Sequence, residues 1–181
     1  MIKSVKKYGG FYVSRYEPSV DEKSNVVFKD ASNPENKIIT INGDKGNDET
    51  QESPFSSALG WNELYEKLQG FETSSVKSSM IWGCQYDAML NWIIKTGSDI
   101  SSGYKDKVET IKNKKLITGY TKTDKFNNIY DIYGCNAEWT RDKTIRGDNY
   151  SSDFKGINRY SSGYGPGGRS GVSSRATLYL K

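Results

Sequence analysis

The side chains that most often carry chemistry are sparse in this chain. There is no histidine. That removes the commonest general base and the commonest transition-metal ligand. It also excludes His-containing zinc and iron sites and the Ser-His and Cys-His nucleophile pairs. Two cysteines, Cys84 and Cys135, are too few for a four-Cys zinc site and follow no motif. They could form one disulfide, but we read them as buried free thiols. Asp131 and Glu138 are the carboxylates of one compact aromatic segment, "NIYDIYGCNAEWT". A glycosidase pair needs a set separation across a sugar, and we read these two as structural acceptors of backbone amides.

One stretch is chemically distinctive without being catalytic: "RGDNYSSDFKGINRYSSGYGPGGRS". Residues 148–174 hold 7 Ser, 6 Gly, 3 Tyr and 2 Asn, 18 of 27 positions. Tyr gives a large amphipathic contact area with few rotatable bonds, and Ser, Gly and Asn give adaptable hydrogen bonding, as in antibody paratopes. Tyr150, Phe154, Tyr160 and Tyr164 are the expected aromatic contacts. Asn149, Asp153, Asn158 and Ser161 are the expected polar ones. The spacing of the aromatics fits neither a strand nor a continuous helix, so their rings are expected on an exposed face. The stretch returns to an apolar end, "RATLYLK", which a disordered tail has no reason to do. A merely solvated Gly/Ser loop and a nucleic-acid arm are the competing readings.

The 181 residues suit one domain, 1–181, with its binding surface at 146–175. Only 34% of residues are apolar, but 13% are aromatic, including 13 Tyr and 4 Trp. A disordered chain would be poor in aromatics. The net charge is +4, from 26 basic and 22 acidic residues. The basic residues are dispersed among acids, so nucleic acid is not an expected partner. Lys112, Lys114 and Lys115 are read as a solvated face. The N-terminus, "MIKSVKKYGGFYV", lacks the apolar core of a signal peptide, and no stretch approaches the length of a membrane helix. The chain as given is expected to be soluble and not inserted in a membrane; it can also be one domain of a larger protein.

The elements that must position the distinctive stretch follow from periodicity. Gly9 to Glu17 reads as a strand, and Asn25 to Lys29 as a second that pairs with it across the polar stretch Pro18 to Ser24. Ile38 to Gly43 is a short strand stopped by Asn42-Gly43. Residues 43–54 read as loop. "SALGWNELYEKLQG" reads as a helix with Trp61, Leu64, Tyr65 and Leu68 on one face and Gly70 at its end. "SSMIWGCQYDAMLNWIIKTG" reads as the strongest helix, capped by Ser78 or Ser79 and stopped by Gly97. Its stripes, Ile81, Cys84, Ala88 and Trp92 beside Trp82, Tyr86, Met89 and Ile93, predict burial on most sides. Trp82, Trp92 and Trp139 are expected in the core. Residues 96–128 read as loops with one short element near "ETIKNKKLITGY", and "SRATLYL" as a terminal strand. The class is α+β: short strands, two helices and long loops.

In chain order these segments resemble the formylglycine-generating enzyme (sulfatase-modifying factor) family, a variant of the C-type lectin fold. "DIYGCNAEWT" is similar to the family's D-M-A-G-N-V-W-E-W-T at Asp131, Gly134, Glu138, Trp139 and Thr140. "RGDNY" matches its R-G-G-S at Arg146 and Gly147, and "SSRATLYL" its last strand at Arg175. "GGFYVSRYE" resembles the opening strand, and "MIWGCQYDAMLNWI" stands where the family has its E-W-E helix. The departures are chemical. The family Asn and first Trp are Cys135 and Ala137 here, and the second Gly of R-G-G is Asp148. The copper-holding Cys pair has no counterpart after Cys135, and the His ligands of the ergothioneine-type iron enzymes are missing.

The resemblance is therefore closest to non-catalytic phage and prophage proteins ending in S-R-x-x-L-Y-L, among them variable proteins of diversity-generating retroelements. In those, the surface after R-G-G is diversified at adenine-containing codons, and the composition of 148–174 is compatible with that. This implies a receptor-binding protein on a phage tail or bacterial surface, without catalysis or cofactor, that recognises a bacterial cell-surface protein or glycan. It would work alone, as a homo-oligomer or in a larger virion assembly. Calcium, which the family sometimes holds through loop carbonyls and carboxylates, stays open and is not predicted. Arg146 and Arg175 are implied to be framework residues that tie loop ends by hydrogen bonds. An enzyme on the same scaffold with altered chemistry, and a structural virion or surface domain, are the alternatives.

Overall fold

The computed structural model describes residues 1–43, 58–98, 100, 117–119, 124–147, 167–168 and 171–181. The class is α+β. Helices α1 (Ile2–Tyr8), α2 (Trp61–Gln69) and α3 (Gly83–Lys95) accompany eleven short strands. These are β1 (Tyr12–Val13), β2 (Ser19–Val20), β3 (Val26–Val27), β4 (Ile39–Thr40), β5 (Val76–Met80), β6 (Lys125–Phe126), β7 (Ile129–Tyr130), β8 (Ala137–Trp139), β9 (Ile145–Arg146), β10 (Val172–Ser174) and β11 (Ala176–Leu180). The two chain ends meet in one sheet of order β1-β11-β5, antiparallel throughout. A second sheet has the order β10-β8-β9, a third β3-β2-β4, and β6 pairs with β7.

Several expected elements form where the pattern places them. Trp61, Leu64, Tyr65 and Leu68 share one face of α2. Leu64 and Leu68 are buried, and the Trp61 and Tyr65 rings stack at 5.1 Å. The Glu63 carboxylate caps the helix by accepting the Gly60 N–H at 2.7 Å, and the helix ends at Gly70. The last strand is β11, pinned between β1 and β5.

Other expectations are corrected. The strand expected over 9–17 is only Tyr12–Val13, and it pairs with β11, not with Val26–Val27. β3 pairs with β2, which lies inside the stretch read as a polar connection. The polar segment before Tyr8 forms α1, a third helix with no buried residue. A seven-residue surface helix carries almost no apolar pattern to find.

The long helix starts five residues later than its pattern suggests. Ser78 and Ser79 are not caps but buried residues of β5. The cause is tertiary. Ile81 donates its N–H to the Arg175 carbonyl and accepts from Arg141 N–H, so its backbone belongs to the sheet region. The first free helical amides come next. Trp82 N–H is capped by the Gln85 side chain at 3.0 Å and Gly83 N–H by Asp142 at 3.0 Å. From that start, Tyr86, Met89, Leu90 and Ile93 face inward. Cys84, Ala88 and Trp92 face outward, with Trp92 48% exposed. The stripe that seemed to continue from Ile81 crosses from a strand-like segment into a helix. The free thiol of Cys84 is exposed and that of Cys135 buried. Trp82 is half-buried, covered by the Arg141 guanidinium 4.7 Å from its ring.

The core has two parts. One gathers Val20, Ile41, Leu64, Leu68, Met80 and Ile145 around Trp139. The other gathers Ile81, Tyr86, Met89 and Ile93 with Phe126, Ile132 and Tyr133. Trp139 is 2% exposed. Trp139→Ala is expected to lower stability by about 3–5 kcal/mol, because a large cavity opens in the first cluster. Trp92→Ala is expected to stay within about 0.5 kcal/mol of wild type. Urea denaturation of both variants checks the contrast, and equal losses would contradict it.

Candidate functional site

All eight expected contact residues, Asn149, Tyr150, Asp153, Phe154, Asn158, Tyr160, Ser161 and Tyr164, lie outside the described residues. So do Lys112, Lys114 and Lys115. The described residues show how the segment carrying those contacts is held. β9 and β10 flank the same strand, β8, one antiparallel and one parallel. Arg146 and Ser173 both stand opposite Glu138. Two strand spacings put them roughly 10 Å apart, a gap a few extended residues could bridge. Twenty-five residues connect Arg146 to Val172.

A buried charge network fixes these ends. Arg175, fully buried between β10 and β11, donates from Nε to Glu138 Oε1 at 2.8 Å. Its other nitrogens donate to the carbonyls of Ser14 at 3.0 Å and Tyr130 at 2.9 Å. One guanidinium thus joins β8, the chain just after β1 at Ser14 and the end of β7. Burial works against its charge, but the adjacent Glu138 carboxylate prevails and holds its pKa above the usual arginine range. Arg146 pairs with Asp87 of α3 at 2.5 Å and lies 4.7 Å from the Tyr86 ring. The Arg146 side chain is 4% exposed and that of Asp87 52%. Both arginines therefore tie element ends together. Glu138 accepts from Arg175 rather than from a backbone amide, which differs from the reading of the sequence.

The acids of the neighbouring segment do meet backbone amides. Asp131 Oδ2 accepts Gly119 N–H at 2.8 Å and the Thr118 hydroxyl at 2.6 Å. Asp124 Oδ2 accepts from Tyr133 and Gly134 N–H, both at 2.9 Å. Glu17, 0% exposed, takes both the backbone and side-chain N–H groups of Asn136. Burial, with Asp124 nearby, pushes the Asp131 carboxyl up to about 7. Burial and the charges of Glu138 and Asp131 push Glu17 well above the ordinary range. Asp131 and Cys135 adopt left-handed backbone, φ 60° and 71°. Asp tolerates this better than most residues.

Described residues that flank the polar segments meet at β4 and just after it. Thr40 Oγ1 accepts Thr118 N–H at 2.9 Å, which fixes the chain after residues 101–116. Asn42, buried, donates from Nδ2 to the carbonyls of Leu59 and Val172, both at 2.7 Å. Its Oδ1 accepts Leu59 N–H, and its own carbonyl accepts Gly171 N–H, again at 2.7 Å. The chain beyond residues 44–57 and the chain beyond residues 148–166 are therefore clamped by one side chain. Gly168 passes so close to the Ala58 carbonyl that no Cβ fits there. From sequence, Asn42-Gly43 signalled only the end of a strand; its role as a clamp needs partners 17 and 130 residues away.

Among the described residues, no group of three or more Cys, Asp or Glu side chains is placed to hold a metal, and no helix is long and apolar enough to cross a membrane. No family model matches the chain, and no curated protein or solved structure matches it either.

Removing Arg175 strands a buried carboxylate and two carbonyls. Arg175→Met is expected to cost about 3–5 kcal/mol. Arg146→Met is expected to cost less, because Asp87 can return to water; a urea titration ranking them the other way would contradict this. Asp131 yields a pH test. Its folded pKa lies above the unfolded value, so the folded state binds the extra proton. The stabilisation is full below about 4 and is lost as pH rises through about 7. Asp131→Asn keeps an acceptor for Thr118 and Gly119 and should flatten the fall in stability between those limits. Identical slopes in wild type and variant would refute the assignment.

Proposed function

We propose that this chain is a non-catalytic ligand-binding domain of the C-type lectin fold, formylglycine-generating-enzyme-like in type. It presents the Tyr/Ser/Gly/Asn-rich stretch within 146–175 to recognise a bacterial cell-surface protein or glycan, as a phage or prophage receptor-binding protein does. The observation that supports the reading is the attachment of this stretch. Its two ends are strands on either side of β8, locked by Arg175, Glu138 and Asn42. Between those locks the sequence has the composition of a paratope.

A rigid frame with polar segments between its fixed points suits binding for a physical reason. Affinity is lost when a contact segment must be ordered on binding, and fixed ends reduce that cost. A frame whose hydrogen bonds come from buried residues outside 148–166 lets that stretch change in sequence without loss of those bonds. That separation is what a diversified receptor-binding protein requires. The ordered motifs shared with the phage and prophage branch, ending in "SRATLYL", favour this role over a catalytic one.

The test is a quadruple variant, Tyr150, Phe154, Tyr160 and Tyr164 each replaced by Ser. Fluorescently labelled wild-type protein is expected to stain a subset of a panel of bacterial strains. The variant should melt within a few degrees of wild type and stain none, since aromatic anchors dominate interface energy. A variant that unfolds, or that stains the same strains as strongly, overturns the placement of the binding surface. Wild-type protein that stains no strain overturns the proposed target class.

A further inference from the structure

A second surface is lined by no described residue of 146–175. A cleft of about 640 Å³ runs beside β1. Residues 9–13 all line it in succession. Within β1 the side chains of Tyr12 and Val13 point to opposite faces, so both can reach one cavity only along the strand's edge. The hydrogen bonds give the same orientation. Ser14 N–H is donated to Ala176 on β11, while the Arg15 carbonyl accepts from Tyr130 N–H on the other side, each at 2.9 Å. Alternation then turns the N–H and C=O of Phe11 and Val13 away from β11 and into the cleft. Among the described residues, no backbone group pairs with them there.

The walls suit a particular partner. Met89 and Trp92 of α3 form one side, and Asn127 and Asn128, at the turn between β6 and β7, form another. Arg15, exposed, is the only charged residue among the described lining residues. Gly10 leaves the strand approachable: a Cβ built there meets nothing within 4 Å. Two of the large apolar residues that stay exposed, Tyr12 of β1 and Trp92 of α3, line the cleft. Tyr8 also lines a smaller cavity of about 240 Å³ that shares residues 9–12 with the cleft. Natural edge strands are usually blunted by charge, proline or a cover. This one is flanked by glycine and bordered by exposed apolar side chains, which mark contact sites.

We infer that the free edge of β1 is a docking site for an extended polypeptide segment that carries aliphatic residues and an acidic side chain. The segment adds as a strand beside Phe11 and Val13, through the four backbone groups that face the cleft. Its carboxylate meets Arg15, and its apolar side chains cover Trp92, Met89 and Tyr12. A saccharide would use the aromatic faces and the asparagines, but it would leave the backbone edge unmet.

The test uses the full chain and a displayed library of random linear heptapeptides. Recovered peptides are synthesised and titrated by fluorescence polarisation. They are expected to combine β-branched residues with Asp or Glu. Arg15→Gln, at an exposed position, and Gly10→Leu, which fills the cleft, should each weaken binding at least tenfold with unchanged melting temperature. The quadruple Ser variant at Tyr150, Phe154, Tyr160 and Tyr164 should bind the peptides as wild type does. The inference is overturned if no peptide is recovered, or if the recovered peptides lack an acid. Binding that ignores either cleft variant, or falls with the quadruple variant, overturns it as well. So does displacement of the peptides by uncharged oligosaccharides.

Discussion

The fold hangs on a guanidinium that never reaches water. Arg175 sits where β10 runs into β11, and its nitrogens bind Glu138 of β8 and the carbonyls of Ser14 and Tyr130. An isolated charge this deep would be prohibitive, and the pair survives only because nearly every donor finds an acceptor. That requirement organises the neighbourhood. β8 must lie beside β10 to bring Glu138 within reach, and the chain leaving β1 at Ser14 must pass the same point. The backbone of Arg175 takes part as well, since its carbonyl receives Ile81 N–H and so fixes where α3 can begin. One residue thereby couples the sheet of the chain ends to the sheet that holds residues 147–171.

Around this pair the interior is acidic. Glu17, Asp124, Asp131 and Glu138 are all buried among the described residues, against Arg146 and Arg175. Arg146 spends its charge on Asp87. The remaining acids are stabilised by backbone and side-chain amides and hydroxyls, and two of them hold protons more tightly than free carboxylates do. Such groups contribute precise geometry more than net stability. They hold the segment from Asp124 to Asn136 in shape, where left-handed Asn127 and Asn128 turn the β6–β7 hairpin and left-handed Asp131 and Cys135 interrupt regular structure after it. The same segment forms one wall of the cleft beside β1, so frame and cleft share a structural cause.

The sequence was legible where local and tertiary demands agree. α2 follows from spacing and β11 from its residue types, because the residues that form those elements also face the core, and Trp139 was placed by the aromatic segment and motif around it. Arg146 and Arg175 were legible as framework residues through the resemblance of the motifs around them, although not through any periodicity. The start of α3 was not legible. Ser78 to Ile81 carries a helix-like pattern, but pairing with β11 claims its backbone first. That displacement rotates the apparent stripe and sends Cys84 and Trp92 to the surface. α1 had no apolar face to read, and the clamp at Asn42 depends on partners far along the chain.

The misreading of Trp92 is itself informative. An amphipathic pattern cannot tell an aromatic residue that enters the core from one left outside for a partner, because both are selected for apolar area. Position decides between them. Trp92 lies on the outer face of α3 and lines the cleft beside β1 together with the exposed Arg15. Tyr12 follows the same logic on β1: it keeps 67% of its surface in water while its backbone remains paired to β11. The domain has enough apolar residues in its two clusters to fold without either ring. Their exposure therefore places them on the surface beside the cleft, rather than in the frame that Arg175 holds together.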